Sequence, residues 1–318
     1  MSDDRSNYND YGLVFDYDKT IVDICGGNLT HYQNIIQSLL NKVCFKPESI
    51  VLELACGTGI GSEILLQNNF AKLYCLDKSN AMLNETECRL SNYDRHWRYV
   101  SDRFQFDKEI NGRGDNTYLQ YYPMITIPRV TLLKHDAYDV DNLQMLGLGS
   151  QAVDVIVMAN TWNSLVTPPR LAKAVWNRLD SNGLFVFNTK VQHKSLISLQ
   201  QIVTQNFYDP NFSETRFSCD NTDVPPTSTV EEVRSILESN GFSVSCHEQD
   251  LFLSQSEAIV YLQAAAQRFV RNYREKEGEH NTRVENLFSQ LKATINDISE
   301  RQNIFFWRRE AFFEVKKQ

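Results

Sequence analysis

The chain has 318 residues, 42% of them hydrophobic, and a formal net charge of −8 without a block of Lys or Arg. That supports a sizeable core and argues against a large nucleic-acid surface. The seven cysteines, at 25, 44, 56, 75, 88, 219 and 246, are scattered and odd in number with no C-x-x-C pair, which points away from a disulfide framework or zinc site and toward reduced thiols in the cytoplasm. Met1 to Asp10 lacks an apolar signal core, and no stretch reaches the ~18 apolar residues of a membrane span, so no membrane partner is expected.

After a polar start, Tyr17-Asp18-Lys19 leads through Ile21, Val22 and Ile24 to Gly26-Gly27. Tyr32, Ile35, Ile36, Leu39 and Leu40 then recur at helical spacing, with Asn28 or Thr30 as the cap. Residues 50–54 form a short apolar run of buried-strand type. Gly57, Gly59 and Gly61 follow on alternate positions, and a helix begins near Ser62. Strand, glycine turn, helix is the opening unit of a nucleotide-binding α/β sheet, the glycines allowing a tight turn and a close ligand. The third glycine comes one position early for a dinucleotide fingerprint, and an acid, Glu53, ends the strand. Such an acid repels a pyrophosphate and favours a ligand bearing ammonium and sulfonium groups.

The pattern Glu53-x-Ala55-x-Gly57-x-Gly59 resembles motif I of the class I S-adenosylmethionine-dependent methyltransferases, with Ala55 where many members have another glycine. The resemblance implies a Rossmann-like seven-stranded sheet of order 3-2-1-4-5-7-6 with its last strand antiparallel, and S-adenosylmethionine as cofactor. It also likens the helix before the first strand to an N-terminal extension (1–45) that closes over the cofactor, with Tyr17 as its contact. A packing helix with no ligand contact is the alternative.

The second strand, Lys72 to Leu76, ends on Asp77, twenty positions beyond Gly57, where an acid accepts hydrogen bonds from a ribose diol. Lys78 opens the following helix and Met82 is placed against the adenine face. Residues 92–129 are irregular and aromatic, an insertion read as a hairpin or short helices. Val130 to Leu133 resumes as a strand before His135-Asp136-Ala137. By resemblance, Asp136 accepts from the adenine amino group and the backbone of Ala137 meets a ring nitrogen.

Val153 to Met158 is the next strand, leading into Asn160-Thr161-Trp162-Asn163. This lacks the paired prolines of base-specific amino-methylases and looks more like the loop of small-molecule enzymes. Asn160 is assigned to the cofactor, and Trp162 and Asn163 to the substrate, Trp162 being equally readable as a core aromatic. A helix after Pro168-Pro169 and a turn at Asn182-Gly183 precede strand five, Leu184 to Asn188. A second irregular insertion spans 191–228. A helix from Thr229, strand six at Phe242 to Cys246, helical periodicity over 256–273 and 282–298, and a final aromatic strand at 305–315 complete a single domain, 1–318.

A sulfonium methyl is already electrophilic, so no catalytic triad is needed. His31, Asn160 and His193 are the candidate catalytic groups. The two insertions, with Tyr17 and Trp162, are expected to form an apolar acceptor pocket above the strand ends. Methyl transfer to O, N or C of a small molecule by a monomer or homodimer is the favoured function. An RNA or protein methyltransferase using Arg268, Arg271 and Arg274, or a non-catalytic cofactor-binding partner protein, are the alternatives.

Overall fold

The computed structural model describes residues 29–91, 97–101, 129–146, 152–195, 228–254 and 306–317, with single positions between 256 and 300. The chain begins with helix α1 (Leu29–Leu40), then β1 (Ile50–Leu54), α2 (Ile60–Leu65), β2 (Lys72–Asp77), α3 (Asn80–Leu90), β3 (Trp97–Ser101) and β4 (Arg129–Lys134). A 3-10 segment (Ala137–Leu146), β5 (Val153–Met158), a short 3-10 turn (Trp162–Ser164) and α4 (Pro168–Arg178) follow. β6 (Leu179–Ser195), α5 (Val230–Glu238), β7 (Phe242–Leu253) and β8 (Phe306–Lys317) close it.

The strands make one sheet in the order β3-β4-β2-β1-β5-β6-β8-β7. β1 to β6 pair in parallel, and β8 runs antiparallel between β6 and β7. Seven of these reproduce the expected order. The eighth, β3, adds in parallel to the outer edge of β4, so residues 97–101 of the expected insertion at 92–129 are a strand of the sheet, residues 92–96 and 102–128 lying outside the described residues. Trp97, Tyr99 and Val100 are strand-favouring types that pair with Val130 to Leu133.

Successive side chains of a strand face opposite sides, and both sides of this sheet are covered. On one face Val51, Leu73, Cys75, Val130, Leu132 and Val155 pack with Ile36 and Leu39 of α1, Ile64 and Leu65 of α2 and Leu83 of α3. On the other, Leu52, Leu54, Leu76, Ile156, Phe185 and Phe187 pack with Leu171 and Val175 of α4 and Val233 and Leu237 of α5. Each fully buried large side chain contributes roughly 1.5–3 kcal/mol. The aromatic column Trp162, Phe187, Phe313, with ring centroids 4.5 and 4.8 Å apart, stacks within this second face. Truncating Phe187 to alanine is expected to cost about 3–5 kcal/mol.

Local signals place the ends. α4 starts on Pro168-Pro169, and α5 on a capping box in which Thr229 and Glu232 satisfy each other's backbone N–H groups. Asp154 accepts from the backbone N–H of Ile50 at 2.7 Å, tying the start of β5 to that of β1. β6 and β7 run well beyond the expected Asn188 and Cys246. Their polar extensions do not alternate, and they are held by long-range pairing to β8, as where Arg309 grips Asp250 at 2.7 and 3.1 Å. α1 starts at Leu29, so Thr30 lies inside it.

Candidate active site

β1 is left through a turn in which Ala55 (φ 52°), Gly57 (φ 58°) and Gly59 (φ 82°) all adopt left-handed conformations. A non-glycine residue held there is strained, and such strain gathers at functional sites. The turn is clamped from the neighbouring elements. Cys56 N–H donates to the Leu76 carbonyl at 3.0 Å. Gly57 N–H donates to Asp77 Oδ2 at 3.0 Å, and Ser79 N–H to Asp77 Oδ1 at 2.9 Å. From α3, the Thr86 hydroxyl donates to the Gly57 carbonyl at 2.7 Å and Arg89 Nε to that of Thr58 at 2.9 Å. A Cβ on Gly59 would lie 3.0 Å from Thr86 Cγ2, so the glycine also permits this close packing.

Asp77 is thus buried at the carboxyl end of β2 with the Gly57 amide on one oxygen, the Ser79 amide on the other and the Lys78 backbone as a further donor. Burial raises its pKa, opposed by the Ser79 and Gly57 amides. A carboxylate offers about four lone-pair sites, so Asp77 retains capacity beyond these backbone donors.

Glu53 is placed differently from the expected acid aimed into the turn. It is 3% exposed and on the α1 and α2 face, where Ser62 Oγ donates to its carboxyl. A Cβ on Gly61 would overlap Glu53 Oε1, with Ile36 of α1 close by, so the early third glycine makes room for this carboxyl behind the loop. Desolvation pushes the Glu53 pKa up to about 8, only partly offset by the Ser62 hydrogen bond.

Along the strand ends, His135 N–H donates to the Asp77 carbonyl at 3.1 Å and brings the end of β4 against that of β2. Asp136 is exposed, its Oδ1 accepting from Tyr138 N–H at 3.0 Å, and Ala137 is half-buried. Lys78 is exposed, and Met82 is buried with Ala81 in a cluster separate from the two cores.

On the other side of β1, Asn160 closes β5. It is exposed, with φ 54°. Its backbone N–H donates to Asn188 Oδ1 at 2.9 Å, and Asn188 Nδ2 donates to Asn160 Oδ1 at 2.7 Å and to Glu310 Oε2 at 3.1 Å. The two left-handed non-glycine residues, Ala55 and Asn160, therefore end adjacent parallel strands. Chain connections leave β1 in opposite directions here, the switch point at which open α/β sheets bind ligands.

Trp162 is 1% exposed and belongs to the aromatic column of the core, its indole Nε1 without a hydrogen-bond partner among the described residues. Asn163 is spent on β6: its Nδ2 donates to the Lys190 carbonyl at 2.8 Å and its Oδ1 accepts from Thr189 Oγ1 at 2.7 Å. His31 pairs with Glu257 at 2.9 Å, and among the described residues no hydrogen bond links it to the turn or to Asn160. His193 lies opposite Arg308 on the extension of β6, roughly 16 Å of strand beyond Asn188. Tyr17, residues 102–128 and residues 196–227 fall outside the described residues, as does the pocket expected of them.

Thr86, Arg89, Asn188 and Glu310 are the residues that sequence reading passed over. Thr86 and Arg89 are polar positions one turn apart on a helix, otherwise read as solvated. A buried-strand pattern interrupted by Asn at 188 and Glu at 310 was the available signal for the other two. Among the described residues no group of His, Cys, Asp or Glu is placed to hold a metal ion, and no helix is long and apolar enough to cross a membrane.

The strand order, the glycine turn after β1 and the acid at the end of β2 define a class I methyltransferase, with S-adenosylmethionine as its methyl donor. Residues 29–247, more than half of the chain, match the model of a family described as a methyltransferase domain, and the chain belongs to that family. No curated protein sequence matches it significantly. Among solved structures it is similar to the cyclopropane synthase MmaA2 of Mycobacterium tuberculosis (14% identity, 88% of this chain and 82% of that one, TM-score 0.47). It is also similar to a phosphoethanolamine N-methyltransferase 2 of Haemonchus contortus in complex with phosphomonomethylethanolamine and S-adenosylhomocysteine (12%, 99% and 59%, TM-score 0.48). A third is the YcgJ protein of Bacillus subtilis (10%, 90% and 99%, TM-score 0.49).

Proposed function

We propose that the protein transfers the methyl group of S-adenosylmethionine to an oxygen, nitrogen or carbon atom of a small molecule. The observation that carries this reading is the Asp77 carboxylate, held by the amides of Gly57 and Ser79 at the end of β2, beside a turn of three left-handed residues. The donor set fits the cofactor. Asp77 has acceptor capacity left for a ribose diol, and the exposed Asp136 with Ala137, one strand further out, suits the adenine edge. Met82 offers an apolar face, and Gly57 and Gly59 give the loop its left-handed turn beside the carboxylate. Lys78 and Asn160 border the site at β2 and β5. Tyr17 is assigned to the cofactor as well, and Glu53 contributes behind the loop by shaping it through Ser62.

The bound cofactor supplies an electrophilic methyl group. What remains for the chain is to orient an acceptor toward it, exclude water and accept a proton where the acceptor carries one. The net charge of −8 favours a small molecule over RNA. The test is to incubate the chain with S-adenosylmethionine and a metabolite extract, with RNA and protein fractions alongside, and to follow a mass gain of one methylene unit. A methylated metabolite is expected. Transfer to the RNA or protein fraction alone overturns the small-molecule reading, and no transfer with intact cofactor binding favours a non-catalytic partner.

A further inference from the structure

The orientation of the Asn160 carboxamide is set from beneath by two buried polar residues that belong to β6 and β8. Its polarity follows from an obligate donor. The backbone N–H of Asn160 can only donate, so the Asn188 atom 2.9 Å away is oxygen. The other end of the Asn188 amide is therefore its NH2, whose two hydrogens go to Asn160 Oδ1 at 2.7 Å and Glu310 Oε2 at 3.1 Å. With its own oxygen used in this way, Asn160 turns its NH2 away from Asn188, on an exposed residue at the switch point. Asn188 is 0% and Glu310 3% exposed, so the arrangement is a dry one in which a wrong amide orientation would leave a buried group unpaired.

We infer that Asn188 and Glu310 are positioning residues that hold Asn160 as a hydrogen-bond donor for the carboxylate of the amino-acid part of S-adenosylmethionine. This rests on the functional reading above. The order of the strands supplies the direction: adenine at Asp136 on β4, ribose at Asp77 on β2, the glycine turn on β1, and then β5. Neighbouring strands lie about 4.8 Å apart, so β4 to β5 spans ~14 Å, and the end of the ligand opposite adenine is the one that arrives at Asn160. That end carries an ammonium, which needs an acceptor, and a carboxylate, which needs a donor. A pinned outward NH2 discriminates between them.

The experiment is calorimetry of the full chain with two probes, S-adenosylhomocysteine and its decarboxylated analogue. Asn160→Asp keeps the oxygen that accepts from Asn188 and replaces only the outward NH2. The double variant Asn188→Asp with Glu310→Gln reverses the relay without changing net charge or shape. The amide introduced at 310 donates to the carboxylate introduced at 188, and Asn160 must turn its own NH2 inward. In both variants the affinity for S-adenosylhomocysteine is expected to fall about tenfold or more, while that for the decarboxylated analogue changes less than about threefold. Equal losses for the two probes, or no loss for S-adenosylhomocysteine, overturn the assignment. Asn160→Asp lies at an exposed position and decides the matter where melting shows the double variant unfolded. In the wild-type chain, the Asn160 side-chain NH2 resonances should shift on adding S-adenosylhomocysteine and not on adding the analogue; an equal response to both contradicts the assignment. A wild-type chain that binds neither probe overturns the functional reading itself, and this inference with it.

Discussion

The two sides of β1 are built in different ways. Toward β2 and β4 the site is made of backbone: three left-handed residues and amides donated to one carboxylate, clamped by Thr86 and Arg89 from α3. Toward β5 and β6 it is made of side chains, the Asn160–Asn188–Glu310 relay and the amide of Asn163 on β6. A backbone cradle serves a part of the ligand that never changes, the nucleoside. A side-chain lattice fixes which way one polar group points, which suits the amino-acid end of the same ligand, where an ammonium and a carboxylate must be told apart.

Substitutions at four positions test that division, in order of expected effect. Gly57→Val should abolish cofactor binding in a folded protein, because the branched Cβ strains a φ of 58° and fills the cradle; retained affinity by calorimetry would move the site away from the turn. Glu53→Gln tests whether the acid behind the loop acts on stability. Burial pushes its folded pKa up to about 8, above the ordinary carboxylate value of 4.5. The raised value stabilises fully below the unfolded pKa, and this contribution is lost as pH rises from about 4.5 through about 8. The wild type should therefore lose stability relative to Glu53→Gln across that window, by on the order of 3–5 kcal/mol, and stay level above it. Parallel denaturant-midpoint curves for the two proteins would show the carboxyl to be solvated.

Asp77→Ala should weaken cofactor binding by roughly 2–4 kcal/mol, and Asp77→Glu by less. An unchanged dissociation constant would place the ribose elsewhere. Thr86→Val, which removes only the hydroxyl bonded to the Gly57 carbonyl, should cost about 1 kcal/mol of stability. Any effect it has on binding should be smaller than that of Asp77→Ala. A larger one would mean that the clamp, rather than the carboxylate, shapes the cradle.

The division also explains what was legible in the sequence. Gly57, Gly59, Asp77 and the strand runs declare themselves within a few residues, because φ above zero and buried strands demand particular residue types locally. The relay joins positions 28 and 122 residues apart, and nothing near Asn188 or Glu310 announces the partner. Glu53 was legible as an acid but not in its direction, which depends on Gly61, Ser62 and α1 packing together. Trp162 read equally as core or ligand contact until the stacking on Phe187 placed it in the core. β3 was hidden because the alternation of Trp97, Arg98 and Tyr99 is too short to stand out in a long aromatic, irregular stretch.

The account stands most directly on what the strand ends bind. Titrating the full chain with S-adenosylhomocysteine and with NAD, side by side in one calorimeter, separates the two ligands that a glycine turn of this kind can hold. Saturable binding of S-adenosylhomocysteine, lost in Gly57→Val, with no heat from NAD is the predicted result. Binding of NAD without S-adenosylhomocysteine would contradict it.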